Sequence, residues 1–120
     1  MARVVIRGGE LDIELGTWEG LLSLHDDVAI DVGNIESIEA VPFEVIHPRG
    51  LRLPGTGVPG LVHAGTYVDA QGREFWAVVG PHPMLVIECS GGDWRRVAVG
   101  MEDAEAQAEG LRRQILGPAS

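Results

Sequence analysis

Residues 61–79 read LVHAGTYVDAQGREFWAVV, and this stretch decides the fold. Two runs rich in β-branched and aromatic residues, 61–69 and 73–79, flank Ala70-Gln71-Gly72. Such runs suit a pleated, half-buried strand, and glycine supplies the positive φ that a tight connection needs. The stretch therefore predicts a β-hairpin. Phe75 and Trp76 are neighbours, and adjacent strand residues point to opposite faces. The pattern sends one of them into the core and the other outward or under a covering helix, without saying which is which.

The same signal spreads in both directions. Met84 to Cys89 and Trp94 to Val99 form a second hairpin around Ser90-Gly91-Gly92-Asp93. Upstream, Arg3 to Arg7 is rich in β-branched residues, and Gly8-Gly9 marks a turn. Leu11, Ile13 and Leu15 alternate with Glu10, Asp12 and Glu14, a period of two with one wet face. Val28, Ile30 and Val32 alternate again, and Ile38 and Ala40 follow Gly33-Asn34. Seven or eight short strands at this spacing predict an antiparallel barrel or sandwich.

Two segments have helical spacing. Thr17 caps a short helix near residues 17–24, whose apolar positions are Trp18, Leu21, Leu22 and Leu24. Gly20 weakens that helix by about 1 kcal/mol, so tertiary packing must hold it. A second helix spans residues 103–116. Asp103 is its N-cap, Glu105 lies in the first turn, and Arg112 and Arg113 lie in the last, as the helix dipole favours. Ala104, Ala108, Leu111 and Ile115 form one narrow apolar stripe. Gly117-Pro118 stops the helix. Between residues 46 and 60 the chain reads as an ordered loop, because Pro54 and Pro59 lack the amide a central strand requires. Residues 1–120 carry no repeat or boundary and read as one domain.

Composition narrows the function. The chain has 120 residues, with 18 acidic and 9 basic side chains and a formal charge of −9. At that length roughly two-thirds of the unfolded surface is buried without a disulfide or metal staple. Every basic residue is arginine. With no lysine, Schiff-base chemistry and the phosphate-binding lysine of a P-loop are excluded. The acidic excess argues against nucleic acid and anionic membranes, which demand a basic footprint. Cys89 is the single cysteine, so no internal disulfide forms and the expected compartment is the reducing cytoplasm. The segment after Met1 has no apolar core of signal-peptide length. Residues 1–48 hold ten acidic side chains against Arg3 and Arg7; this is the wet face of the early strands or a docking face for a basic partner.

Candidate chemistry is sparse. Gly55-Thr56-Gly57-Val58-Pro59-Gly60 matches G-x-G-x-x-G, but no helix pattern follows to hold a pyrophosphate. His25, His47, His63 and His82 lack any metal-pairing spacing. Cys89 is in phase with Leu85 and Ile87 and reads as a small buried hydrophobe. No catalytic residue, metal ligand or cofactor is expected. The surface with the best claim to binding is the loop from Arg49 to Gly60. Arg49 and Arg52 there are able to pair with carboxylates.

The order of elements resembles that of bacterial pleckstrin-homology-like domain proteins, in particular small single-domain ones from actinobacteria. The resemblance rests on Arg52-Leu53-Pro54-Gly55-Thr56, Gly65-Thr66-Tyr67, the Phe75-Trp76 pair and the Asp103-led terminal helix, and covers nearly the whole chain. It implies a bent antiparallel sheet, a partly open barrel, closed at one end by the C-terminal helix. It also implies a non-enzymatic binding or scaffolding module that acts through protein contacts and self-associates in some members. The binding candidates, read from the residues themselves, are Arg49, Arg52, Thr56, Tyr67 and Trp76. The phosphoinositide-binding role does not carry over, because the first hairpin here holds Glu10, Asp12 and Glu14. The alternative reading is a small-molecule-binding barrel or minor enzyme with a pocket near Trp76, Tyr67, His63 and Arg52.

Overall fold

The computed structural model describes residues 3–14, 27–43, 45, 46, 48, 50–52, 63–78 and 82–116. The expected helix near 17–24 lies outside the described residues. Eight strands of five or more residues form two sheets of three and five, and a two-residue segment extends the second sheet. The first sheet has the order β1 (Arg3–Arg7), β2 (Glu10–Glu14), β3 (Asp27–Asp31). A 3-10 turn over Val32–Asn34, capped by the Asp31 carboxylate accepting from the Gly33 N–H at 2.8 Å, leads into β4 (Ile35–Val41). The remaining elements are β5 (Leu51–Arg52), β6 (His63–Asp69), β7 (Gly72–Val78), β8 (Met84–Cys89), β9 (Arg96–Gly100) and α1 (Ala104–Ile115). The second sheet runs β4-β8-β9-β7-β6-β5. The described strands do not close into a barrel.

Both expected hairpins form. In the first, Asp69 pairs with Gly72, and the Asp69 carboxylate accepts from the Gln71 N–H at 2.9 Å. Gly72 takes φ +140, a conformation that a side chain would strain. In the second, the Cys89 N–H donates to the Arg95 carbonyl at 2.8 Å and closes the turn.

One expectation needs correction. The sheet is not wholly antiparallel, because β7 and β9 run parallel, with Phe75 opposite Val97 and Trp76 opposite Ala98. β8 leaves its predecessor and pairs with β4, and its hairpin partner β9 fills the gap beside β7. A period of two sets which face a residue takes, not which strand lies next to it.

The main core lies between the two sheets and under α1. Leu11, Ile13, Val28 and Ile30 from the first sheet meet Ile38, Phe75, Leu85, Ile87, Val97 and Val99 from the second. Ala104, Ala108 and Leu111 of α1 are buried in the same cluster, with Ile115 packed at its edge, so the predicted stripe is the seam. The helix packs mainly on β4. Asp103 stands at the N-cap but makes no side-chain cap bond; its carboxylate accepts from Gln107 Nε2 at 3.0 Å instead. The opposite face of the second sheet carries a smaller core of Trp76, Val78, Met84, Val86 and Ala98, packed against Val41, Phe43, Ile46 and Tyr67. Phe75 and Trp76 are thus both fully buried, in different cores. Among the described residues, Phe43 and Ile46 of the chain following β4 and Tyr67 pack against the core that holds Trp76. No helix among the described residues is long and apolar enough to cross a membrane.

Candidate functional site

The free edge of β4 is defined by hydrogen-bond direction. In an antiparallel ladder the backbone groups of successive residues point alternately to the two sides. On β8 and its flanks, the Cys89 N–H donates to Arg95 and the Met101 N–H donates to Pro83 at 3.0 Å, so residues 83, 85, 87 and 89 face β9. Residues 84, 86 and 88 therefore face β4, and the Ser90 N–H donates to the Asn34 carbonyl at 2.9 Å in the same sense. Their partners on β4 are Val41, Glu39 and Ser37. Ile38 and Ala40 consequently aim their N–H and C=O groups away from the sheet.

That edge is stopped at both ends. Arg112 Nη1 of α1 donates to the Ile38 carbonyl at 3.1 Å. Pro42 has no N–H, and its carbonyl accepts from the Val45 N–H at 3.1 Å. The Ala40 N–H and C=O between these stops, and the Ile38 N–H beyond the first of them, have no partner among the described residues. Ala40 lines a cleft of about 810 Å³ whose described walls also include Glu39 and Val41 of β4, Pro42 and Phe43, Pro83, and Glu102, Glu105 and Arg112 beside or on α1. Among its described residues three carry carboxylates and one, Arg112, a guanidinium that donates to the Ile38 carbonyl.

The second sheet also carries a charged row across its smaller core. Tyr67, Glu74, Arg96 and Glu88 stand opposite one another in register across β6, β7, β9 and β8, with the Arg52 backbone opposite Tyr67. Glu74 is fully buried. Its Oε1 accepts from the Trp76 indole at 2.9 Å, and its Oε2 accepts from Arg95 and lies 3.9 Å from Arg96 Nη1. Arg95 also donates to Asp69 at 3.3 Å, and Arg96 Nε donates to Glu88 at 2.9 Å. Burial of a carboxylate is tolerable only with such partners. The network is built for cohesion: each carboxylate faces a guanidinium, and each ion of the cluster lies against the sheet.

The residues singled out from the sequence fall as follows. Arg49 and Thr56 lie outside the described residues. Arg52 holds β5 to β6 through its backbone, opposite Tyr67. Tyr67 is half-buried against the smaller core. Trp76 offers no accessible ring face, since it is fully buried and donates to Glu74. His63 pairs with Val78 through the backbone. Among the described residues, no three His, Cys, Asp or Glu side chains converge as a metal site. Two features escaped sequence reasoning. Glu74 had a signal, because an acid in phase with Trp76 and Val78 in an apolar run sits on a buried face. The β4 edge had none, because strand order is not written in a period of two.

Cys89 is buried, and its thiol is pushed from an ordinary value of 9.0 up to about 12, chiefly by burial and then by the Glu88 and Glu36 carboxylates. The thiolate is the reactive form. A disulfide reagent at pH 8 is therefore expected to leave Cys89 unmodified in the folded chain and to react on addition of denaturant. The raised value also sets a sign: the unfolded thiol ionises from about pH 9, so stability is full below that and falls as pH rises toward about 12. Cys89→Ala should flatten that alkaline limb; an unchanged limb would assign it to other groups.

Comparison of the chain with protein-family models, with curated proteins and with solved structures finds no match.

Proposed function

We propose that this chain is a non-enzymatic binding module of pleckstrin-homology-like architecture, a partly open barrel stoppered by α1, that acts in the cytoplasm through protein contacts. The contact is β-augmentation: an extended segment of a partner adds to β4 as a further strand. What supports this reading is the edge of β4 at Ala40, whose backbone groups have no partner among the described residues and which lines the cleft beside α1. Main-chain bonds to such an edge supply affinity, and pockets beside it supply specificity. Sheets commonly blunt exposed edges. Here Arg112 and Pro42 blunt both ends and leave a short register in which only a few residues of a partner fit.

Amide exchange tests the reading directly. In the free chain the Glu39 and Val41 amides should be protected and those of Ile38 and Ala40 should exchange fast. A segment selected from a random peptide library against the chain should slow exchange at Ile38 and Ala40 and leave the β1–β3 amides unchanged. Protection that spares Ile38 and Ala40, or a library that yields no binder, would reject the edge as the contact.

A further inference from the structure

Resting on the edge reading above, we infer that the segment accepted by β4 is cationic, with arginine or lysine on the face that meets α1. The observation behind this is the composition of the cleft walls. Glu39 projects from β4, and Glu102 and Glu105 stand at the start of α1. All three are exposed, so their charges remain available to a partner. The opposing charge in the cleft, Arg112, is bonded to the Ile38 carbonyl and forms the end stop of the edge. An added strand therefore lies with its backbone on Ala40 and its side chains between three carboxylates. Carboxylates outnumber the Arg112 guanidinium three to one among the described walls, so a basic segment is favoured over an acidic one; residues of one phase of the added strand reach Glu102 and Glu105, and those of the other phase reach Glu39.

The same charges argue against a second copy at this edge. Pairing β4 with β4 of another copy would bring Glu36 and Glu39 of both strands together, and the whole chain carries −9. Like charges set opposite one another suppress a wrong partner. Edge pairing between copies is thus disfavoured by the strand that is otherwise open to it.

The test uses the full chain and three labelled peptides of one length and one Thr/Val framework, whose alternate positions are all arginine, all serine or all glutamate. Anisotropy titrations at low ionic strength should rank them arginine first and glutamate last. The arginines of such a peptide share one face, so whichever face they take the Glu39→Gln/Glu105→Gln variant removes one exposed charge pair and should weaken the arginine peptide by about twofold to fivefold, leaving the serine peptide unchanged. The difference should vanish in about 1 M salt, where screening acts within about 3 Å. Ala40→Pro, which removes an outward N–H, should abolish binding of every peptide; circular dichroism confirms that each variant is folded, and peptide-induced protection of the Ile38 amide in the unaltered chain locates the site independently. Arginine and serine peptides bound equally well at the edge would overturn the cationic inference and leave the edge reading intact. Arginine-peptide binding that ignores Glu39→Gln/Glu105→Gln and leaves Ile38 unprotected would place it elsewhere and overturn both, as would no binding at all. A concentration-dependent dimer that protects Ile38 would put a second copy on the edge and overturn the cationic partner.

Discussion

Glu74→Ala is expected to lower the stability of the folded chain by about 3 kcal/mol, a large share of the 5–15 kcal/mol typical of a whole domain. The reason is asymmetry. With Glu74 present, Arg95 and Arg96 sit beside a buried carboxylate, and the Trp76 indole has an acceptor. Without it, Arg95 and Arg96 lose the buried carboxylate they share and keep Asp69 and Glu88, and the indole N–H loses its bond to Glu74. Uncompensated buried charge costs more than the intact pair contributes. Glu74→Gln retains an acceptor for Trp76 and should lose roughly half as much. Urea unfolding reads the effect as a lowered midpoint at unchanged slope. A loss below about 1 kcal/mol for Glu74→Ala would mean that the cluster is decoration on a sheet held by its apolar residues. A cycle combining Glu74→Gln with Trp76→Phe should show coupling, because the two share one hydrogen bond.

Phe75→Ala should destabilise the chain by about 4 kcal/mol through the other face of the same strand. Phe75 is fully buried between the sheets. It meets the Trp94 ring edge-on, with centroids 5.9 Å apart and planes at 71°. Trp94 in turn lies under the Arg73 guanidinium at 4.7 Å. Truncating Phe75 therefore leaves a cavity and unseats the ring that anchors the β8–β9 turn. Phe75→Leu fills most of the space and should cost about 1 kcal/mol. If Phe75→Ala cost less than about 2 kcal/mol, the sheets would have closed over the gap, and the two-sheet core would be softer than its burial implies.

Much of the fold was legible in the residues. Strand alternation placed Leu11, Ile13, Val28 and Ile30 inward, and each is buried. The turn residues named both later hairpins, and the stripe from Ala104 to Ile115 named the helix that seals the core. These are local signals: a period, a glycine, a small side chain. Asp103 shows where local reasoning thins out. Its position at the N-cap was right, yet its carboxylate turns to Gln107, because one oxygen has two nearby donors of similar worth.

The candidate site was less legible. Arg52, Tyr67 and Trp76 are read from the sequence as binding candidates and, with His63, as neighbours of one pocket. Together with Glu74 they fall in or beside one row of the sheet, and Trp76 and Glu74 are interior there. An acid flanked by apolar residues is ambiguous until its neighbours are known. Glu39 and Glu105 are 66 positions apart in the chain, and only the docking of α1 beside β4 makes them walls of one cleft.

The amino-acid order by itself determined which residues of a strand share a face, where the chain turns, and that a terminal helix offers a small-residue seam. These follow from side-chain size and backbone preference over a few residues. The tertiary structure alone decided that β9 lies parallel to β7, that Glu74 is enclosed by two arginines, and that the outward backbone groups of Ala40 on β4 have no partner among the described residues. Backbone N–H and C=O groups are the same at every position, so a strand's neighbour is chosen by the packing of the whole sheet and not by the strand.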